Sequence, residues 1–292
     1  PEFNPYNQNL KFSNELHHNL TRSIAWESVF RVRYSHGFGQ LESFGNIQIK
    51  QKTTDLVLAP TMDADRVFIY EFEKLPEDNT AANAHRMSRI SKRYLFIQSA
   101  LLYSSSDGQR RIRCHNVAVP LCTSINEAYE FLDISSTTHL LLRKALSRFD
   151  RVPNIEQSKM VIESAVMNMA RANQRHSNTP KGSAFEFSEN MQYFFMYVLG
   201  ALKSHLINLP VVMNPVDTVD KIVYQRYLSM MMSPDEMLQL FSPQIINIAD
   251  PNLNDQEFPA LEVLERNSLT QESIYLLFNS YAIYMYVGRQ CD

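Results

Sequence analysis

Glycine is scarce in this chain, with 7 residues among 292, against an average usage of about 7%. Phosphate-cradling loops and glycine-lined nucleotide clefts need several closely spaced glycines, so the enzyme classes built on them are disfavoured. Cysteine is scarce too. Cys114, Cys122 and Cys291 are an odd set, far apart, with no close-spaced pair to mark a disulfide framework or a tetrahedral metal site, and a reducing compartment is the default expectation. Neither sign of charge dominates: 28 Lys and Arg stand against 31 Asp and Glu, a net charge of −3. That removes the bulk electrostatic footprint of a nucleic-acid binder. No run approaches the roughly 18 apolar residues of a membrane span, and Pro1 to Tyr6 carry neither the basic nor the apolar stretch of a secretory signal. What is present is the composition of a folding chain, 45% hydrophobic and 20% charged, long enough for about two domains or more.

From Arg22 to about Leu121 the hydrophobic period is two. Phe30, Val32 and Tyr34 alternate with Val29, Arg31 and Arg33, the pattern of a half-buried strand, and Ser35-His36-Gly37 supplies a turn. Further strands are expected over 41–50, 53–60, 66–72, 94–103 and 110–119, with a long polar loop over 74–91. The last two flank Ser104 to Gln109, whose Asp107-Gly108 is a hairpin signal. Some six strands imply a sandwich or barrel.

After Pro120 the period becomes 3.6. Ser124 followed by Glu127 reads as a capping box, and helices are expected over 138–149, 155–173, 187–206 and 219–232. From Pro251 the composition turns again. Residues 259–264, 274–278 and 281–288 read as strands, the last two as a hairpin turning at Asn279-Ser280. Two or three strands do not make an independent domain, so the chain reads as cut from a longer protein.

Few residues suggest chemistry. His17 and His18 are adjacent but lack the further ligands of a metal site. Cys114 and His115 are neighbours on a strand and point to opposite faces, so Cys114 is expected as a small buried apolar residue rather than a nucleophile. The pairs Asp63/Asp65 and Glu71/Glu73 read as solvated surface. The clustered methionines, Met230 to Met232 and Met160 to Met169, read as core filler. The basic stripes stand out: Arg31 and Arg33 share one face of the first strand, and Arg111, Arg113 and His115 share one face of another. Together they are expected to present an aligned guanidinium face, which can take acidic peptide carboxylates bidentately; the plainer reading is a solvated outer sheet face.

The residues Leu20 to Arg33, Thr53-Thr54-Asp55-Leu56 and above all Gln98 to Arg113 resemble the β-sandwich of the cargo-adaptor subunit of the COPII inner coat. Gly108-Gln109-Arg110-Arg111-Ile112-Arg113 is shared with the partner subunit of that coat. Ser99 to Tyr103 before it and Ala118-Val119-Pro120 after it favour the cargo adaptor. The resemblance implies a multidomain α+β chain: the tail of a preceding trunk domain over 1–20, a β-sandwich over 21–123, an all-α helical module over 124–250, and an incomplete gelsolin-like α/β unit over 251–292.

It also implies a non-catalytic coat component that selects cargo by binding export signals for transport from the endoplasmic reticulum to the Golgi. The partners implied are the sister inner-coat subunit, the coat's small GTPase indirectly, and cytosolic export signals of membrane cargo, with no nucleic acid. The implied location is cytoplasmic, peripheral on the endoplasmic reticulum membrane and COPII vesicles. No cofactor is implied for this stretch, since the family's zinc finger lies upstream of it. One family cargo pocket lies beside an Arg preceding Ser-Thr-Asp-Leu; the matching stretch here is Lys52-Thr53-Thr54-Asp55-Leu56, where lysine keeps the charge and loses the planar fork. Lys52, Thr53, Thr54, Arg31 and Arg33 are therefore the expected cargo-binding residues. Two other classes compete with this reading: an architectural coat module closer to the partner subunit and without its own pocket, and a hydrolase with a site around Cys114 or the carboxylates.

Overall fold

The structure is a computed structural model that describes residues 9–45, 48–49, 56–75, 93–151, 154–176, 187–204, 206–207, 223–224, 226–249, 259–262, 264–280 and 282–291. The chain divides into two compact units, Pro1–Thr123 and Ser124–Asp292. Lys52, Thr53 and Thr54, and nearly all of the stretch read as a long loop, lie outside the described residues.

The first unit opens with helix α1 (Asn9–Thr21), which has no buried residue and leaves His17 and His18 exposed. The strands follow: β1 (Ala25–Tyr34), β2 (Phe38–Phe44), β3 (Gln48–Ile49), β4 (Leu56–Met62), β5 (Ile69–Lys74), β6 (Tyr94–Ser104) and β7 (Arg110–Pro120). Five of them form an antiparallel sheet in the order β3-β4-β1-β6-β7, and β2 pairs with β5. Alternation decides which side of the large sheet is covered. Phe30 stacks on Phe68 at 5.4 Å and lies 6.3 Å from Tyr70, and Tyr34 meets Phe72 edge-on at 5.1 Å. The small sheet thus covers the face that carries Ser28, Phe30, Val32 and Tyr34, with Val57 and Ala59 of β4 opposite them. Burial there pushes the Tyr70 phenol up to about 12. Early in β1 the register against β6 shifts between Trp26 and Val29, where Glu27 takes φ 47°; such a bulge sharpens the local twist. Asp63 and Asp65, expected as solvated surface, instead clasp Arg22 at 3.1 and 2.9 Å, and tie the entry of β1 to the end of β4.

The second unit contains α2 (Ile125–Glu130), α3 (Ile134–Arg151), α4 (Ile155–His176), α5 (Glu189–Lys203) and α6 (Pro234–Phe241). On α3, Leu141, Leu142, Ala145 and Leu146 make an apolar stripe at helical spacing. They pack with Ile162 of α4, Phe194 and Val198 of α5, and Met237 of α6. The capping box expected at Ser124 does not form, since its side chain makes no cap hydrogen bond. A complete one forms at α6: Ser233 Oγ accepts from the Glu236 amide, and the Glu236 carboxylate accepts from the Ser233 amide at 2.7 Å. Pro234 follows at the first helical position, where its missing N–H costs nothing. The methionines divide. Met191, Met232 and Met237 are buried, whereas Met160, Met167 and Met230 are exposed, so only part of the set fills core.

A second antiparallel sheet, in the order β11-β10-β8-β9, comprises β8 (Gln244–Asn247), β9 (Leu261–Glu262), β10 (Ile274–Asn279) and β11 (Ala282–Val287). The hairpin between β10 and β11 forms, but Asn279 still pairs with Ala282, so the turn begins at Ser280, one residue later than expected, and Ser280 donates to the Glu236 carbonyl of α6. The multidomain α+β class stands: a sandwich, then helices with a further sheet.

Candidate functional site

Arg31 and Arg33 leave β1 on the side of the sheet opposite the aromatic cover. The pairing register fixes their neighbours. Arg31 lies opposite Ala100 of β6, which lies opposite Cys114 of β7; Arg33 lies opposite Gln98, which lies opposite Asn116. Cross-strand partners share a face, so the uncovered side carries Arg31, Arg33, Gln98, Asn116 and Cys114 together. At the end of the sheet, Arg33 lines a groove of about 530 Å³ with Ser35, Phe96, Gln98, Asn116 and Ala118. Gln98 Nε2 donates to Asn116 Oδ1 at 2.9 Å. The Ser35 amide donates to the Phe96 carbonyl at 2.9 Å, and Ser35 Oγ accepts from the Phe96 amide at 3.3 Å. An exposed guanidinium therefore stands beside a fixed amide pair and an exposed phenyl ring. Those are groups that bind a carboxylate and an adjoining apolar side chain.

The same register overturns the aligned guanidinium face. Arg113 lies opposite Leu101 and Leu101 opposite Phe30, while His115 lies opposite Ser99 and Ser99 opposite Val32. Arg111, Arg113 and His115 therefore project from the covered side of the sheet, away from Arg31 and Arg33. They are exposed, as is every residue of β7, which stands last in the sheet order among the described residues. The same position explains a second correction: Cys114, expected to be buried, is exposed. Its neighbour His115 projects from the other face, so the two make no nucleophile and base pair.

The connection between β6 and β7 sets this geometry. The Gly108 amide donates to Ser105, the Ser105 amide donates to Gln109, and Gly108 takes φ 81°. This is a type I turn followed by a left-handed residue, a three-residue hairpin loop rather than the two-residue turn that Asp-Gly alone suggests. Hydrogen bonds from the Ser105 side chain and the Gln109 amide hold the Asp107 carboxyl below its usual range, and the Arg111 guanidinium at 2.7 Å adds to this. Across the sheet Arg110 reaches Glu27 at 3.1 Å.

Of the expected site residues, Arg31 and Arg33 are brought to one face, while Lys52, Thr53 and Thr54 fall outside the described residues. The groove's Gln98, Asn116 and Phe96 escaped the sequence reading. Their signal is the hairpin register, which is visible only once the loop length is known. Among the described residues no group of three or more His, Cys, Asp or Glu side chains is placed to hold a metal ion. No helix of the described residues is long and apolar enough to cross a membrane.

Comparison with known proteins adds the following. Residues 25–122 match the Sec23/Sec24 beta-sandwich domain. The protein transport protein Sec24D of Homo sapiens is 25% identical over 282 residues, covering 95% of this chain and 25% of that protein. The protein transport protein SEC24 A of Arabidopsis thaliana is 26% identical over 294 residues, covering 96% of this chain and 26% of that protein. The chain thus spans about a quarter of the length of these curated relatives. The crystal structure of the human COPII-coat protein Sec24c superposes with a TM-score of 0.84 at 21% identity, over 100% of this chain and 36% of that one. The fold is shared across both units.

Proposed function

We propose, from the premise that a chain related to Sec24 proteins along nearly its whole length carries a Sec23/Sec24 β-sandwich at residues 25–122, that this is part of a COPII coat subunit that selects cargo. The observation that carries the reading is the uncovered sheet face. There Arg31 and Arg33 stand on a rigid strand, with the Gln98–Asn116 pair and Phe96 beside Arg33 in the groove. Such a face binds a short acidic, apolar-flanked signal without turnover, because recognition needs charge and shape held in place and no reacting group. Lys52, Thr53 and Thr54 complete the proposed cargo site, with Lys52 as a point charge in place of a guanidinium fork.

In this reading residues 1–20 are the end of a trunk domain and 251–292 the start of a gelsolin-like one. The sister inner-coat subunit and, through it, the coat GTPase are the partners, on the cytoplasmic surface of the endoplasmic reticulum. The second reading is an architectural module without its own pocket. It draws on the sandwich match itself, whose description spans both inner-coat subunits. Fluorescence anisotropy of an acidic, leucine-containing export-signal peptide separates the two. Saturable binding that Lys52→Glu and Arg33→Glu each weaken about tenfold, the size of one lost charge-assisted contact, supports the cargo site. Binding indifferent to both substitutions leaves the architectural module.

A further inference from the structure

Strand β1 keeps one register along β4, from Ala25 opposite Met62 to Arg31 opposite Leu56. Against β6 it does not. Trp26 lies opposite Ser104 and Val29 opposite Leu102, so β1 advances three residues where β6 advances two. The extra residue reverses the alternation of β1. Trp26 and Val29 therefore share a side, Ser28, Phe30 and Val32 fall to the covered side, and Arg31 and Arg33 fall to the other.

At the shift stands Glu27 with φ 47°, the one non-glycine residue of positive φ among the described residues. Bulges with a left-handed first residue are ordinarily built on glycine, because a side chain makes that conformation unfavourable. Two features accommodate the glutamate. On the β4 side the register sets it opposite Pro60, which has no amide to give to a ladder and which strands tolerate at bulges. On the β6 side its Oε2 accepts from Arg110 Nη1 at 3.1 Å, and the same nitrogen donates to Ser104 Oγ at 2.9 Å. Ser104 is the cross-strand partner of both Trp26 and Arg110. The contact thus joins β1 to β7 across β6 at the row where the register changes. An exposed ion pair is weak on the scale of folding, and the packing of Phe30 and Val32 holds the phase of β1 without it. What the contact governs is the twist at the bulge, and Arg31 and Arg33 lie further along the same strand.

We infer that the pair of Glu27 and Arg110 holds this left-handed bulge and thereby aims Arg31 and Arg33, which makes both of them positioning residues for the cargo face proposed above, the reading on which this inference rests. Neither touches the signal. Arg110 acts through Glu27, and Glu27 acts through the twist it gives to β1.

The test is fluorescence anisotropy of the acidic, leucine-containing export-signal peptide with the 292-residue chain, with Glu27→Ala, Arg110→Ala and Glu27→Gly, and with Glu27→Gly combined with Arg110→Ala. Each alanine substitution leaves the bulge without its compensating contact and should weaken binding about threefold, the size of one exposed ion pair. Glycine adopts a left-handed φ freely, so Glu27→Gly should bind within about 1.5-fold of the unaltered chain and should make Arg110→Ala silent. That rescue separates positioning from direct contact. The sign separates it from a field effect, since Glu27→Ala makes the sheet more positive and by charge alone would tighten an acidic peptide. Tightening in Glu27→Ala, an Arg110→Ala loss that persists with glycine at 27, or unchanged affinity in both alanine variants overturns the inference. Trp26, beside the bulge and the chain's only tryptophan, gives a readout that needs no peptide. Its emission should shift in both alanine variants and return in both variants with glycine at 27. Peptide binding with the same Trp26 emission in every variant leaves the cargo reading standing and sinks the inference. No peptide binding by the unaltered chain sinks the cargo reading and the aiming role with it, while the Trp26 pattern still decides whether the pair holds the bulge.

Discussion

Leu142, Ile162, Met191, Phe194 and Met237, large side chains sealed from solvent, belong to the unit that begins at Ser124, whereas among the described residues the tightest positions of the sandwich are Ser28, Val57 and Ala59. The helical unit is held by the transfer of big apolar groups out of water. The sandwich relies more on its backbone ladders and on the aromatic contacts of Phe30 with Phe68 and Tyr70 and of Tyr34 with Phe72. Among the described residues, the side of the larger sheet that carries Arg31 and Arg33 has no cover. The part of the molecule that carries the proposed site is therefore the part with the smaller buried side chains.

That contrast can be broken by substitution. Leu142→Ala should cost about 3–5 kcal/mol, the range for a fully buried leucine, read as a lower denaturant midpoint in helical circular dichroism. Val57→Ala removes two methyl groups from the covered sheet face and should cost about 2 kcal/mol. It can be read in the fluorescence of Trp26, the chain's only tryptophan. Equal costs at the two sites would mean that the units are equally core-driven. Ser233→Ala removes a complete capping box and should cost about 1 kcal/mol, whereas Ser124→Ala, with no side-chain cap to lose, should fall within about 0.5 kcal/mol of zero.

The smallest effect near neutrality is a slope. His139 is 1% exposed, its Nε2 lies 3.1 Å from the Ser229 carbonyl, and its Nδ1 is buried without a partner. Burial, with the Arg143 charge adding to it, holds its pKa below the ordinary 6.5. The unfolded chain then takes up the proton first, so stability is fully present above about 6.5 and declines as pH falls below it. Between pH 7 and 6 the loss should stay under about 1 kcal/mol, since one proton changes stability by at most about 1.4 kcal/mol per pH unit. His139→Gln should flatten that slope in midpoint measurements against pH. An unchanged slope assigns it to other groups.

The order of elements was legible because the hydrophobic period changes from 2 to 3.6 near Pro120, and the structure turns from strand to helix there. Local chemistry alone did not settle which caps form: Ser124 and Ser233 both precede a glutamate by three residues, and only the second closes its box. The face shared by Arg31 and Arg33 was legible too, since alternation within a single strand needs no register. Which face Arg113 takes relative to them depends on how many residues the β6–β7 loop uses, and Asp107-Gly108 is compatible with either two or three. Burial of Cys114 was misjudged because strand order, which puts β7 last among the described strands of its sheet, has no local signature.

The left-handed Gly108 closes a loop with an odd number of residues, and side chains alternate with a period of two. One residue gained or lost between Ser105 and Gln109 would thus carry Arg111, Arg113 and His115 to the side of Arg31 and Arg33, and send Ile112, Cys114 and Asn116 the other way. A single codon inserted or deleted there would join two basic patches without altering any charged residue. Among descendants of this fold, the length of that hairpin is a more informative character than the identity of its cations.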